Sequence, residues 1–181
     1  MSEDIVIRPA TPADAEAMRA IFNHEVAYTT GSWEWVPLTE AGWQEWVDEH
    51  TRDDRVLLVA DRGGEVLGFA GYGRFRTKAG YVTTVEDSVF LKAGCRGQGL
   101  GRTMLGALIE AARARGVHAM VAAVTGENTA SIGLHTAMGF REVGRMPQVG
   151  HKFGRWLDLV LLQLLLDAGP APAWEHGSLN P

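Results

Sequence analysis

The run Arg96-Gly97-Gln98-Gly99-Leu100-Gly101 constrains this chain more than any other six residues. It reads R-x-x-G-x-G, and an amphipathic stretch, Arg102 to Arg115, follows at once. Leu100, Met104, Leu105, Leu108, Ile109 and Ala112 recur there at helical spacing and define one apolar face. Glycines lack the Cβ that would keep a ligand from the backbone. A helix N-terminus adds unpaired N–H groups and a partial positive charge. The segment therefore predicts a turn into a helix that can hold a phosphate on the amides of Gly97 to Arg102. Its spacing matches neither G-x-x-x-x-G-K-S/T nor G-x-G-x-x-G, which argues against those two nucleotide sites. On these residues alone, a glycine-rich turn with no ligand fits as well.

A length of 181 residues suits one domain with a real core. We expect it to span residues 1–167, with a loose Pro- and Ala-rich tail over 168–181. The formal charge of −5 argues against a general nucleic-acid binder, which needs a basic face. Cys95, the single cysteine, has no internal disulfide partner, and this fits a reducing cytoplasm. No basic-then-apolar leader opens the chain, so no signal peptide is expected. Leu157 to Leu166 is about half a membrane span and carries Asp158 and Gln163, so it reads as a buried strand. These features predict a cytoplasmic protein without membrane or nucleic-acid partners.

The pattern along the chain gives strand, two helices, three strands, helix, strand, helix and two strands. Ile5–Arg8 is the first strand, and Thr11, Pro12 and Asp14 open a helix buried through Met18, Ile21, Phe22 and Val26. An aromatic loop, Tyr28 to Pro37, leads to a helix over Thr39–Asp53. Val56–Ala60 and Val66–Tyr72 form a hairpin across Asp61-Arg62-Gly63-Gly64, and Tyr81–Leu91 follows as a long strand. After the Arg102–Arg115 helix, which Gly116 ends, come a strand over Val117–Val124 and a helix over Asn128–Met138. Strands over Phe140–Gly144 and Trp156–Leu166 close the sheet. This is a mixed α/β arrangement rather than a doubly wound parallel sheet.

Several further segments fall in one order: Thr84-Val85-Glu86-Asp87-Ser88-Val89-Phe90-Leu91, Glu127-Asn128-Thr129-Ala130-Ser131-Ile132, Leu134-His135, and Met138-Gly139-Phe140. The last is Val149-Gly150-His151-Lys152-Phe153-Gly154-Arg155-Trp156-Leu157-Asp158. With the glycine loop they resemble the phosphinothricin and methionine sulfoximine acetyltransferase branch of the GNAT N-acetyltransferases, over nearly the whole chain. The resemblance implies the GNAT fold, a mixed, mostly antiparallel sheet flanked by helices. It implies acetyl-CoA as donor, no metal, a small amino-acid-like amine as acceptor, and a homodimer. The rival on the same fold is a protein N-terminal acetyltransferase; a rival of another class is a non-catalytic acyl-CoA sensor.

The chemistry asks for a base, because an α-amine with a pKa of about 8 is mostly ammonium at neutral pH. Glu86, mid-strand on the face of Thr84, Ser88 and Phe90, is the candidate, and the family pattern places a glutamate there. The alternative is a structural pairing of Glu86 with an arginine. His135 is either an acid–base assistant, as the resemblance implies, or a satisfied core histidine. No tyrosine follows Tyr81, so the tyrosine acid of many relatives is missing. Cys95 reads as a space-filling residue rather than an acyl carrier. For the donor, the resemblance implies Val89, Phe90 and Leu91 along the pantetheine arm and Arg96, Gly97, Gln98, Gly99, Leu100, Gly101 and Arg102 at the pyrophosphate. Asn128 is implied as a cofactor contact and is equally a favoured N-cap. For the acceptor's carboxylate, Arg76 matches the family position, with Arg74 competing and Phe75 where relatives carry tryptophan. Thr29, Thr30 and Trp33 wall the pocket or simply pack. Lys152, Arg155, Trp156 and Asp158 shape the site, a dimer contact or a salt-bridged hairpin.

Overall fold

The computed structural model describes residues 4–52, 55–167 and 169–171. Most of the expected tail lies outside the described residues. Seven strands form one sheet in the order β1-β2-β3-β4-β5-β7-β6. They are β1 (Val6–Pro9), β2 (Leu57–Arg62), β3 (Glu65–Arg74), β4 (Thr84–Leu91), β5 (Ala119–Thr125), β6 (Arg141–Lys152) and β7 (Arg155–Leu165). The helices are α1 (Ala15–Tyr28), α2 (Glu40–Thr51), α3 (Leu100–Arg113) and α4 (Thr129–Ala137). All neighbouring strands run antiparallel except β4 and β5, which run parallel.

Alternation along the strands sends side chains to two separate cores. Met104, Leu105, Leu108 and Ala112 of α3 pack with Val85, Met120, Ala122 and Leu162 on one face of the sheet. Met18, Phe22 and Val26 of α1 and Trp43 of α2 pack with Val59 and Phe69 on the other. Gly68 is required by this packing, since a Cβ there would meet the Phe90 carbonyl and Leu91.

Several boundaries differ from the sequence expectation, each for a local reason. Ala79–Tyr81 closes a 3₁₀ turn, so β4 begins at Thr84 rather than Tyr81. The penultimate strand is longer: β6 continues from Arg141 through Pro147 and Gly150 to Lys152, where the sequence pattern ended at Gly144, while β7 keeps its expected length. An edge strand tolerates them at bulges, here between Met146 and Gly150, with Gln148 at φ 52°. The Gln148 amide then donates to the Asp158 carboxylate at 2.9 Å. The start of α1 also departs from a simple threonine cap. The Thr11 hydroxyl donates to Asp14 Oδ2 at 2.8 Å, while Arg8 grips Asp14 and Asp61. The Arg8 guanidinium and the Thr11 bonds hold the Asp14 carboxyl well below the usual carboxylate range, against its burial.

Candidate active site

The parallel ladder between β4 and β5 pairs Thr84, Val85 and Glu86 with Ala119, Met120 and Val121, and there it ends. Beyond Glu86, β4 stays bonded to β3 through Leu91, while β5 follows β7 to Thr125. The sheet therefore parts, and a cleft of about 450 Å³ opens between Ser88–Leu91 and Ala122–Thr125. Val89, Phe90, Leu91, Arg96, Gly97, Gly99, Gly101, Arg102, Asn128 and His135 all line it.

One end of the cleft is the start of α3. Gly97 and Gly99 sit at φ 76° and 83°, a left-handed conformation that side chains rarely adopt. Gly99 is the N-cap residue, so the first amides of α3 are free to meet an anion. Gly101 lets α3 approach its neighbours, since a Cβ there would already touch Leu134 and Leu91. Leu100 and Gln98 do not join the lining: Leu100 is a core residue, and the Gln98 side chain donates to the Gly94 carbonyl at 2.9 Å. An open strand edge leading to a glycine nest, with Arg96 and Arg102 beside it, suits a long amide-bearing chain that ends in phosphate. Acetyl-CoA has that form, so the residues present fit the group.

The two candidate catalytic residues stand in different surroundings. Glu86 is half-buried, and burial raises its pKa above the ordinary carboxylate value. Arg76, 3.8 Å away, works against that rise, and Asp87 adds to it. His135 is buried in α4. Its Nδ1 lies 2.8 Å from the Ser131 carbonyl and its Nε2 3.0 Å from Asp87 Oδ2. Burial disfavours the charged ring, but the Asp87 carboxylate, by hydrogen bond and by charge, raises its pKa overall. Asn128 accepts from the Ser131 amide at 3.0 Å, so its capping role is realised at the cleft wall.

Phe75, Arg76, Thr30, Trp33, Lys152 and Glu86 stand outside the cleft lining. Arg76 lies over the Phe75 ring at 4.2 Å, and Phe75 meets Tyr81 edge-on. The early loop is tied to the β6–β7 hairpin. Buried Lys152 donates to the carbonyls of Thr29 and Ser32 at 2.8 and 2.6 Å, and burial lowers its pKa. The Thr30 hydroxyl donates to Glu127, which Arg155 also holds. Trp33 fills the space where Gly150 lacks a side chain, and it borders a second hollow with Phe22, Trp46 and three glutamates. Cys95 packs beside the α3-side core.

Two residues at the cleft were not singled out from the sequence. Glu25 on α1 is buried, with Arg96 on one carboxylate oxygen and the Thr29 hydroxyl at 2.7 Å on the other. Asp87 carries the His135 bond. Each shows one signal in the sequence. Glu25 interrupts the apolar face of Ile21, Phe22 and Val26, and Asp87 interrupts the inward alternation of Val85, Val89 and Leu91.

Residues 18–140 match the acetyltransferase (GNAT) family. An L-methionine sulfoximine/L-methionine sulfone acetyltransferase of Pseudomonas aeruginosa is 51% identical, over 89% of this chain and 94% of its own length. A GNAT phosphinothricin acetyltransferase from Sinorhizobium meliloti, solved in complex with acetyl-CoA, superimposes with a TM-score of 0.89 at 33% identity. That match covers 96% of this chain and 94% of the other. A structure described as a ribosomal-protein-alanine N-acetyltransferase from Brucella melitensis gives 0.86 at 44% identity, covering 88% and 99%. With the parted sheet, the glycine nest and these relatives together, the chain belongs to the GNAT family of acetyltransferases.

Proposed function

We propose that this enzyme moves acetyl from acetyl-CoA to the α-amine of a small amino-acid analogue of the methionine sulfoximine, methionine sulfone or phosphinothricin type. The observation that carries the reading is the cleft where β4 and β5 part, with the glycine nest at its end. The acceptor class follows the curated relative at 51% identity.

When bound, acetyl-CoA supplies a thioester whose acyl carbon is open to direct attack by an amine in a ternary complex. Amides at the start of α3 hold the phosphates, and the Ser88–Leu91 edge aligns the arm as an added strand would. Glu86 takes the ammonium proton through a water, a role suited to a carboxyl whose pKa burial has raised. A backbone N–H near Val89 would donate to the carbonyl oxygen as negative charge develops there, until the carbon–sulfur bond breaks, the acetyl group stays on the amine and coenzyme A leaves as its thiolate. Arg76 holds the acceptor's carboxylate, close enough to Glu86 to keep amine and base together. Of the two roles open to His135, the supporting one is favoured, because Ser131 and Asp87 already engage both ring nitrogens.

The Brucella structure keeps the peptide-acetylating reading in view. Lys152, Thr30–Glu127–Arg155 and Trp33 against Gly150 tie the early loop down, which favours a closed pocket over a peptide groove. A homodimer in the cytoplasm completes the proposal. Exposed Val143, Met146, Val149, Phe153 and Trp156 on the β6–β7 hairpin offer an apolar face for the second copy.

The test is acetyl-CoA-dependent thiol release with methionine sulfoximine, methionine sulfone, phosphinothricin and a panel of N-terminal peptides. Saturable turnover on the small acceptors with silence on peptides supports the reading. Turnover on peptides alone replaces it.

A further inference from the structure

Glu25 sits where a carboxylate has no obvious place. It is 4% exposed and lines the same cleft as the anion-binding loop. Its position is fixed from several sides. Oε2 accepts from the Thr29 hydroxyl, and a Cβ on Gly31 would collide with that same oxygen. Thr29 is held in turn by Lys152, whose charge is among those that face Glu25. His24 Nδ1 lies 3.8 Å from Oε1. The remaining partner is Arg96, whose guanidinium donates to Oε1 across the cleft from the loop before α3. The two ends of this ion pair differ in freedom. The Glu25 side chain is 6% exposed and locked, whereas that of Arg96 is 55% exposed at the end of a long, flexible stem.

We infer that Glu25 is a positioning residue that holds Arg96 away from the donor's phosphates and so weakens the enzyme's grip on coenzyme A. A fixed carboxylate beside an anion nest opposes a diphosphate directly. It also competes for the cation that the R-x-x-G-x-G loop presents there. Arg96 is thereby shared between an internal anion and a ligand anion, and each weakens the other's claim. For an acetyl carrier this is useful, because a product that shares the donor's phosphates must leave after every turnover. The inference rests on acetyl-CoA occupying this cleft and adds a residue that tunes how tightly it is held.

The test is the affinity of coenzyme A for the full-length protein, measured by calorimetry without acceptor, in wild type, Glu25→Gln, Arg96→Ala and the double variant. Glu25→Gln is expected to tighten binding by about three- to tenfold. Arg96→Ala is expected to weaken binding more in the Glu25→Gln background than in wild type, because only there is the guanidinium free for phosphate. Unchanged or weaker binding in a folded Glu25→Gln protein overturns the inference and leaves the pair as a strut for the loop. Should Glu25→Gln not fold, Thr29→Val, which releases Oε2 and loosens the carboxylate, is expected to shift affinity in the same direction, and no shift overturns the inference. Failure of the wild type itself to bind coenzyme A would count against the donor assignment instead.

Discussion

Glu86 and Asp87 are adjacent on one strand, yet they lie on opposite faces of the sheet and meet opposite environments. Glu86 points to the side of α1 and α2, half-buried, with one arginine at the loose distance of 3.8 Å. Asp87 points to the side of α3 and α4, where its side chain is 2% exposed and bonded to His135. On the proposed function, the difference teaches how one strand separates chemistry from support. A carboxylate without a tight partner can exchange a proton with substrate, while one bonded to a buried imidazole is committed to holding a helix in place.

The sharpest test of that division is Glu86→Gln. Turnover is expected to fall on the order of 10²- to 10⁴-fold, with coenzyme A affinity and folding stability nearly unchanged. Steady-state kinetics beside calorimetry would check this, and normal turnover would remove Glu86 as base. In the wild type, the acid limb of kcat/KM should lie above the ordinary glutamate range, since burial raises the Glu86 pKa and the base must be ionised. Asp87→Ala should behave in the opposite way. Leaving His135 buried without its partner is expected to cost about 3 to 5 kcal/mol in urea unfolding. A loss well below 1 kcal/mol would mean that the pair supports nothing.

A smaller effect is expected at Arg76. Arg76→Ala should raise KM roughly tenfold for acceptors bearing an α-carboxylate and leave their decarboxylated amines unaffected. Equal KM values for the two acceptor types would place the carboxylate grip elsewhere. The gentlest probe is pH. The His135 pKa is raised on folding, so the pair contributes its full stability below the unfolded value of about 6.5. That contribution is lost as pH rises through the folded value. Urea midpoints should therefore decline from neutral to alkaline pH, and Asp87→Asn should flatten the decline.

Much of this site is local and therefore legible in sequence. The glycine loop, the apolar face of α3 and the Asn128 cap each depend on residues a few positions apart. The pairs that tie the site together are not local. Arg96 finds Glu25 across 71 positions, His135 finds Asp87 across 48, and Lys152 reaches back 120 to the Ser32 carbonyl. No periodicity encodes such partners; only an out-of-place charge on an apolar face hints that one exists. The length of β6 was hidden for a different reason. Pro147 and Gly150 carry turn chemistry, and only the β7 ladder and the bulges between them show that a strand runs through.

The three-residue seam between β4 and β5 has a consequence for where the sheet is weakest. Strands β1 to β4 form one antiparallel ribbon and β5 to β7 another, each drawn from its own continuous length of chain. Ladders of four to eight residue pairs hold neighbouring strands within each ribbon, while three pairs join one ribbon to the other. The sheet is thus most weakly bonded along the line where the two ribbons part, and the proposed place for the donor lies beside that line.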